Sequence, residues 1–121
     1  MGVLSDYVDA KAREIADAGE WRPEAASILA EAADYRYQTF HALSSSNLDS
    51  AAYSDVLEVL WIRFKSGSVY AYVGVPQAVF DGLTSAGSAG GYHHRSIRCT
   101  YRYELLEGGH SRDEDCFSRT R

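Results

Sequence analysis

Hydrophobic residues recur at helical spacing near the start of the chain. Leu4, Val8 and Ile15 fall on one face of a helix, and Gly19 is a typical residue for ending it. Pro23 suits the first turn of a second helix, which is rich in alanine and keeps an apolar stripe. The pattern therefore predicts two N-terminal helices that pack as a hairpin.

The spacing changes to alternation in the second half of the chain. Residues 60–64 alternate in the manner of a strand with one buried face, and residues 66–67 supply a hairpin turn. Residues 69–73 are predicted to form the return strand. A weaker strand is predicted at 50–53, and alternation over 96–106 predicts a last strand.

Proline and glycine divide the rest of the chain. Pro76 opens a short helix, and the glycine-rich residues 87–91 can bring the backbone close to a ligand. We therefore predict an α+β fold: two N-terminal helices plus a small, mostly antiparallel sheet of about four strands, packed by one short helix. The predicted units are a helical segment at 1–43, an α+β domain at 44–106 and a polar tail at 107–121.

Length and composition suit a single globular domain. The chain has 121 residues, of which 45% are hydrophobic and 24% are charged, so it can bury one core. The net charge of −5 argues against binding to duplex nucleic acid, which normally requires a basic surface. It leaves room for a local basic pocket.

The chain shows no signal for a membrane or for secretion. No apolar run approaches the ~20 residues of a transmembrane helix, and the acidic start lacks the apolar core of a signal peptide. We therefore expect a protein of the reducing cytoplasm, with Cys99 and Cys116 as free thiols. Neither cysteine has the spacing of a metal ligand, so no metal or other cofactor is expected.

A series of short motifs runs through the α+β half of the chain. They are Ser45, Ser46, Asn47, Tyr53, the LWIRF strand, Gly67, the YAY strand, Val75, Pro76, Ser85, Ala86, Ser88, Gly90 or Gly91, Tyr92, Ile97 and Arg98. In this order, from about residue 45 to 103, they resemble the KTSC domain. That module is found at the end of some lysyl-tRNA synthetases and as small free-standing bacterial and phage proteins. One departure is His94, where the family usually has asparagine after an aromatic pair.

The size of the chain and its helical start also resemble the phage Thoeris anti-defence sponges. Proteins of that group bind cyclic ADP-ribose-type signals, and some also bind cyclic oligonucleotides, without cleaving them. The resemblance implies that this chain sequesters a nucleotide-derived immune signal, in the host cytoplasm if a phage encodes it.

Aromatic residues offer a surface for a flat ligand. Tyr70 and Tyr72 lie two apart on one face of a predicted strand, where they can either pack against the sheet or stack on a base. Tyr92 follows the glycines and is a further candidate for stacking.

Arginine supplies the candidate phosphate contacts. Arg98 and Arg102 are predicted to share a strand face, roughly 13 Å apart, and Arg95 lies where the glycine segment meets that strand. Guanidinium groups bind phosphate oxygens bidentately, so three of them near glycines suit a pyrophosphate or phosphodiester. The alternative is a solvated face balanced by acidic residues.

Short polar side chains are candidates for directional hydrogen bonds to a ligand. The set consists of Ser45, Ser46, Asn47, Ser88 and His94. The first three more often form a structural turn, because their side chains compete for backbone groups.

The adjacent residues His93 and His94 do not indicate a metal site. On an extended segment neighbouring side chains point to opposite faces, so the two rings cannot easily share an ion. The glycine segment lacks the lysine of a P-loop, and no serine, histidine and aspartate fall in a catalytic order. The chain is therefore expected to bind rather than to catalyse.

The leading hypothesis is a non-catalytic binder of a nucleotide-derived signal. A cyclic ADP-ribose species or a cyclic oligonucleotide would be stacked by tyrosine, neutralised by arginine and oriented by the short polar residues. The alternatives are an RNA- or tRNA-binding module and a plain protein-interaction domain. Because so small a sheet has exposed edges, a homo-oligomer with pockets near its interface is also predicted.

Overall fold

The computed structural model describes residues 2–17, 32–98 and 100–108 of the chain. The first element is helix α1, Val3–Asp17, and a single 3-10 turn follows at Tyr35–Tyr37. The strands are β1 His41–Ala42, β2 Leu48–Ser54, β3 Val59–Phe64, β4 Val69–Val73 and β5 Tyr103–Glu107. Between β4 and β5 lie helix α2, Gln77–Ser85, and helix α3, Ala89–Tyr92, which continues as a π-helical turn, His93–Ile97.

The strands form one antiparallel sheet in the order β1-β2-β3-β4-β5. The β3–β4 pairing aligns Ile62 with Tyr70 and Trp61 with Ala71, and the turn between the strands uses Gly67 at φ 102°, a conformation that favours glycine. The α+β class and the antiparallel sheet are confirmed. The sheet has five strands and not four. The additional strand is β1, whose two residues pair with Ala51 and Ser50 of the predicted strand at 50–53.

Both faces of the sheet are buried, so the prediction of one buried face is wrong. Toward α2 and α3 the buried sheet residues are Leu48, Ala51, Leu60, Ile62, Phe64, Tyr70 and Tyr72. Toward α1 they are Ala52, Val59, Trp61, Ala71 and Val73. Helix α1 precedes the strands in the chain, whereas α2 and α3 lie between β4 and β5, and the two sets of helices cover opposite faces, which gives three layers. Alternation along one strand does not reveal a second covering layer.

Helix α1 is attached to the last strand through its first turn. The carboxylate of Glu104 accepts a hydrogen bond from the backbone N–H of Leu4, with 2.8 Å between Oε1 and the nitrogen. The first amides of a helix have no partner within it, so an acidic side chain at this position stabilises the helix start. The side chain of Leu4 is buried against the α1 face of the sheet.

The predicted strand over 96–106 is wrong in its first half. Ser88 caps helix α3 by accepting a hydrogen bond from the N–H of Gly91 at 3.2 Å. Ala89, His93 and Ile97, spaced four residues apart, are buried on one side of this helical segment. Burial at that spacing and the serine cap favour a helix over the short alternating pattern. The strand begins only at Tyr103.

Several predictions fall on other parts of the chain. The first part of the predicted second helix, Cys99, Cys116 and most of the predicted tail at 107–121 lie outside the described residues. The end of the helical segment predicted at 1–43 is wrong, because the structure has a 3-10 turn at Tyr35–Tyr37 and strand β1 at His41–Ala42 there. Of the helices that the structure describes, none combines the length and apolar character needed to cross a membrane.

Candidate ligand-binding site

The polar loop at 44–47 and the helical segment at 88–98 lie side by side, and together they are called the loop–helix surface. The N–H of Ala89 donates to the carbonyl of Ser44 at 3.1 Å, which ties the start of α3 to the loop. Ser45 Oγ accepts hydrogen bonds from the N–H groups of Asn47 and Leu48, both at 3.0 Å. This closes the turn and leaves the side chains of Ser46 and Asn47 exposed.

Two glycines let the polar side chains of this surface approach the helix closely. A Cβ at Gly90 would lie 3.0 Å from Ser45 Oγ. A Cβ at Gly91 would lie 3.0 Å from Nη1 of Arg95 and 3.3 Å from Ser88 Oγ. The absence of side chains at these positions therefore allows Arg95 to fold back over the helix beside its serine cap. The predicted residues Ser45, Ser88 and Arg95 are brought together.

His94 and Arg98 form a second polar pair on the same helical segment. Nη1 of Arg98 lies 3.3 Å from Nδ1 of His94. Because a guanidinium only donates, Nδ1 must be the acceptor, and a neutral imidazole in this contact carries its proton on Nε2. His94 and Arg95 are exposed, and Arg98 is half-buried. Two cationic side chains are thus presented near exposed hydrogen-bonding groups.

His93 points the other way, into the core. Its Nε2 lies 3.0 Å from the hydroxyl of Tyr72, and its ring meets the ring of Phe64 edge-on at 5.6 Å. Only 3% of His93 is exposed. The neighbouring histidines therefore have different surroundings, as expected, although they lie on a helix and not on an extended segment. No cluster of metal-ligating side chains occurs among residues 2–17, 32–98 and 100–108.

The expectation that Tyr70 and Tyr72 form an open stacking platform is wrong. Both side chains are fully buried, and both contact the ring of Tyr103, at centroid distances of 5.7 and 6.0 Å. Packing against the sheet, the alternative interpretation of the sequence, is what the structure shows. The helical segment lies over these rings, so the tyrosines support the loop–helix surface from below.

Tyr92 is half-buried and packs against α2. A Cβ at Gly82 would lie 2.6 Å from the ring carbon that bears the hydroxyl of Tyr92, so the tyrosine occupies the space that this glycine leaves open. Its ring belongs to the layer above the sheet. Only the exposed part of the ring is therefore accessible to a ligand.

Arg102 lies on the opposite side of the sheet from the loop–helix surface, so the predicted grouping of three arginines is wrong. It lines a cavity of about 230 Å³ together with Val3, Asp6, Tyr7 and Val73, the last of which faces α1. Arg98 ends the π-helical turn instead of sharing a strand with Arg102. The spacing of these residues along a predicted strand therefore did not reflect their positions in space.

The family profile of the KTSC domain matches residues 44–101, which include the loop–helix surface and strands β2 to β4. A protein from Tsukamurella paurometabola is 33% identical over 64 residues, covering 53% of this chain and 96% of its own length. The chain belongs to the KTSC domain family. A KTSC domain protein from Yersinia pestis has a crystal structure with a TM-score of 0.55 and 27% identity, covering 58% of this chain and 99% of that one.

Larger proteins also contain a segment similar to this KTSC domain. The lysine–tRNA ligase of Trichormus variabilis is 41% identical over 54 residues, which is 45% of this chain. The match spans 10% of the ligase. The similarity therefore concerns one segment and leaves the rest of the ligase without a counterpart. Helix α1 and strand β5 both lie outside the profile match.

Proposed function

We propose that the chain binds a small phosphorylated, nucleotide-derived ligand on the loop–helix surface and releases it unchanged. The observation that carries the proposal is the position of Arg95, whose guanidinium lies against Gly91 beside Ser88 Oγ. Guanidinium and hydroxyl groups that converge on one exposed site match the charge and hydrogen-bonding needs of a phosphate group.

Arg98 and His94 extend this surface by one further turn. Arg98 donates to His94 in a long, exposed contact at 3.3 Å, so the ring of His94 can turn toward an anion at little cost. Arg98 is half-buried and would contribute its charge from its present position. Ser46 and Asn47 would supply hydrogen bonds to a ribose or to a second phosphate. Tyr92 would offer the edge of its ring to a base.

The surface supports binding better than bond cleavage. His94, the exposed histidine, accepts a hydrogen bond at Nδ1 from an arginine and not from a nucleophile. The other described histidine of this segment, His93, is buried beneath the helix. We therefore propose a non-enzymatic role.

The biological role that fits such binding is sequestration of a nucleotide-derived immune signal. A cyclic ADP-ribose species or a cyclic oligonucleotide would be withdrawn from an effector in the cytoplasm and kept intact. This part of the proposal comes from the resemblance to phage anti-defence sponges, and it requires tight binding without turnover.

The test is native mass spectrometry of the full chain after exposure to a mixture of cyclic ADP-ribose and cyclic dinucleotides. The expected result is one retained ligand mass per site, with the subunit number read from the same spectrum. Heating should then release the ligand with its mass unchanged. Release of a hydrolysed product would reject non-catalytic binding, and no retained ligand from either class would reject the ligand assignment.

Matched arginine variants locate the binding. Arg95→Gln and Arg98→Gln are each expected to weaken retention at least tenfold, because charged hydrogen bonds to phosphate contribute about 1.5–3 kcal/mol. Arg102→Gln makes the same change in charge on the other side of the sheet and should retain the ligand. Equal loss in all three variants would indicate nonspecific electrostatic attraction and would exclude the loop–helix surface as the site.

A second candidate is an RNA-binding module. The observation that favours it is the similarity to a segment of lysine–tRNA ligases. Binding to tRNA with an affinity that falls steeply with salt would support this function. The net charge of −5 favours binding of the small ligand over binding of RNA. A plain protein-interaction domain would bind neither.

We also propose that the chain forms a homo-oligomer. Strand β1 is only two residues long, both are exposed, and no strand among the described residues lies beyond it, so this edge of the sheet can pair with a second copy. Size-exclusion chromatography with light scattering tests this, and a monomer at micromolar concentration would contradict it.

A further inference from the structure

The α1 side of the sheet carries a cavity with two opposite charges. Its volume is about 230 Å³, and it is lined by Val3, Asp6 and Tyr7 of α1, by Val73 at the end of β4, and by Arg102. Among the described residues, one carboxylate and one guanidinium therefore line the cavity beside two valines and an aromatic ring. This cavity is separated from the loop–helix surface by the sheet.

The two charges of the cavity are available to a ligand. In the described part of the chain, the ion pairs join Lys11 to Glu14 and Glu58, and Arg36 to Asp34. Neither Asp6 nor Arg102 takes part in an ion pair there, either with the other or with a third residue. Both residues are exposed. Opposite charges that line one cavity without meeting can each bind a different end of one molecule.

Hydrogen bonds between the elements that line the cavity hold its walls in place. The N–H of Val73 donates to the carbonyl of Arg102 at 3.0 Å, so two lining residues are joined through their backbones. The contact between Leu4 and Glu104 fixes the start of α1 against β5. The ammonium of Lys11 lies 5.5 Å from the ring centre of Tyr7, and burial raises the pKa of that phenol. The cavity is therefore shaped before a ligand arrives, which lowers the cost of binding.

We propose that this cavity binds a free α-amino acid with an apolar side chain. Arg102 would hold the carboxylate in a bidentate contact, and Asp6 would accept hydrogen bonds from the ammonium group. Val3, Tyr7 and Val73 would pack against the side chain. This site is independent of the proposed nucleotide site.

The size and the charges of the cavity favour an amino acid over other small charged molecules. Pockets for drug-sized ligands typically exceed about 300 Å³, so this smaller cavity suits a molecule of amino-acid size. A dicarboxylate would bring a negative charge beside Asp6, and a diamine would bring a positive charge beside Arg102. Only a molecule with one charge of each sign satisfies both residues.

Saturation-transfer difference NMR on the full chain tests the proposal with three probes of nearly equal size. The first is L-leucine. The second is 4-methylpentanoate, which has the same carbon skeleton without the ammonium group, and the third is L-leucinamide, which lacks the carboxylate. L-leucine is expected to receive saturation at millimolar concentration, and each derivative should bind at least fivefold more weakly. Equal signals from all three probes, or none from L-leucine, would overturn the proposal.

Variants connect each charge to one end of the ligand. Asp6→Asn should weaken the binding of L-leucine severalfold and leave the binding of 4-methylpentanoate unchanged, because that probe has no ammonium group for Asp6 to bind. Arg102→Gln should weaken the binding of L-leucine and leave the binding of L-leucinamide unchanged. Asp9→Asn and Arg13→Gln make the same charge changes at other positions of α1 and should bind L-leucine as the wild type does.

The comparison among variants distinguishes binding in the cavity from an effect of overall charge. A loss of L-leucine binding in Asp9→Asn or Arg13→Gln as large as in the cavity variants would assign the signal to overall charge and reject the cavity. Nucleotide retention is read in a separate experiment with Arg95 and Arg98 variants, so either proposal can fail while the other stands.

Discussion

The hydroxyl of Tyr72 lies 3.0 Å from Nε2 of His93, and this pair joins the centre of the sheet to the helical segment of the candidate site. Tyr72 is fully buried, and 3% of His93 is exposed. The hydrogen bond is therefore formed away from water, where the loss of one partner leaves a polar atom in the core.

Removal of this hydroxyl should destabilise the fold. Tyr72→Phe keeps the ring and deletes only the polar contact, so we expect the free energy of unfolding to fall by about 1–3 kcal/mol. Urea unfolding measures the change. Tyr37→Phe is the matched control, because 71% of Tyr37 is exposed, and its effect should stay within about 0.5 kcal/mol. Equal effects of the two variants would contradict a structural role for the pair.

Gly82 and Tyr92 should be energetically coupled. A Cβ at Gly82 would overlap the Tyr92 hydroxyl and would lie 2.6 Å from the ring carbon that bears it, so Gly82→Ala must displace the ring. We expect a loss of about 1–3 kcal/mol, as for other overpacked sites. In a Tyr92→Ala background the clash is absent, and alanine should then stabilise α2 by up to about 1 kcal/mol.

A double-mutant cycle from urea unfolding gives this coupling energy. Gly87→Ala serves as the control, since its added Cβ would meet no atom of the described residues within 4 Å, apart from its chain neighbours. The same sign of the Gly82→Ala effect in both backgrounds would show that the ring does not occupy this space.

Glu104 should determine how firmly α1 is attached. Glu104→Ala removes the acceptor that lies 2.8 Å from the N–H of Leu4, and a hydrogen bond to a charged group contributes about 1.5–3 kcal/mol. Amide hydrogen exchange should therefore accelerate along Val3–Asp17 more than in the β3–β4 hairpin. Glu14→Ala is the control, because the side chain of Glu14 is 72% exposed. Uniform acceleration over the whole chain would indicate global rather than local loosening.

Stability should fall at alkaline pH through Tyr53. Burial raises the pKa of the Tyr53 phenol from its ordinary value of 10.0 to about 12, and the phenol donates to the carbonyl of Val75 at 2.6 Å. As pH rises from 10 to 12, the unfolded chain loses this proton first, so the unfolded state gains stability relative to the folded state. The free energy of unfolding should therefore decrease across that window and be independent of this group below it.

Urea unfolding at a series of pH values checks the effect. Tyr53→Phe should be less stable at neutral pH, because its hydrogen bond to Val75 is lost, yet its decline from pH 10 to 12 should be shallower than that of the wild type. Parallel curves for the two proteins would exclude Tyr53 as the source.

Local pattern was a sound guide to individual elements. The β3–β4 hairpin, the helix after Pro76 and α1 were all expected from residue spacing and turn chemistry. The order of short motifs along the chain also indicated the KTSC domain family, which the family profile confirms. These features depend on residues that are close in sequence, where steric and hydrogen-bonding preferences act directly.

Local pattern failed where two signals competed. Alternation over 96–106 favoured a strand, while Ser88 and the spacing of Ala89, His93 and Ile97 favoured a helix. The helix prevails over the first part of this stretch because it buries those three side chains together and satisfies its first amides. The four-residue spacing of this set was visible in the sequence, although the glycines between its members obscured it.

The sequence by itself determined the class of the fold, its central hairpin and the family to which the chain belongs. Only the tertiary structure decided which side chains meet: it placed Tyr70 and Tyr72 under a helix, kept Arg95 near Ser88, and put Arg102 and Asp6 in one cavity on the other face. The reason is that a strand presents alternate residues to both faces, while burial depends on the layers that distant segments place against each face.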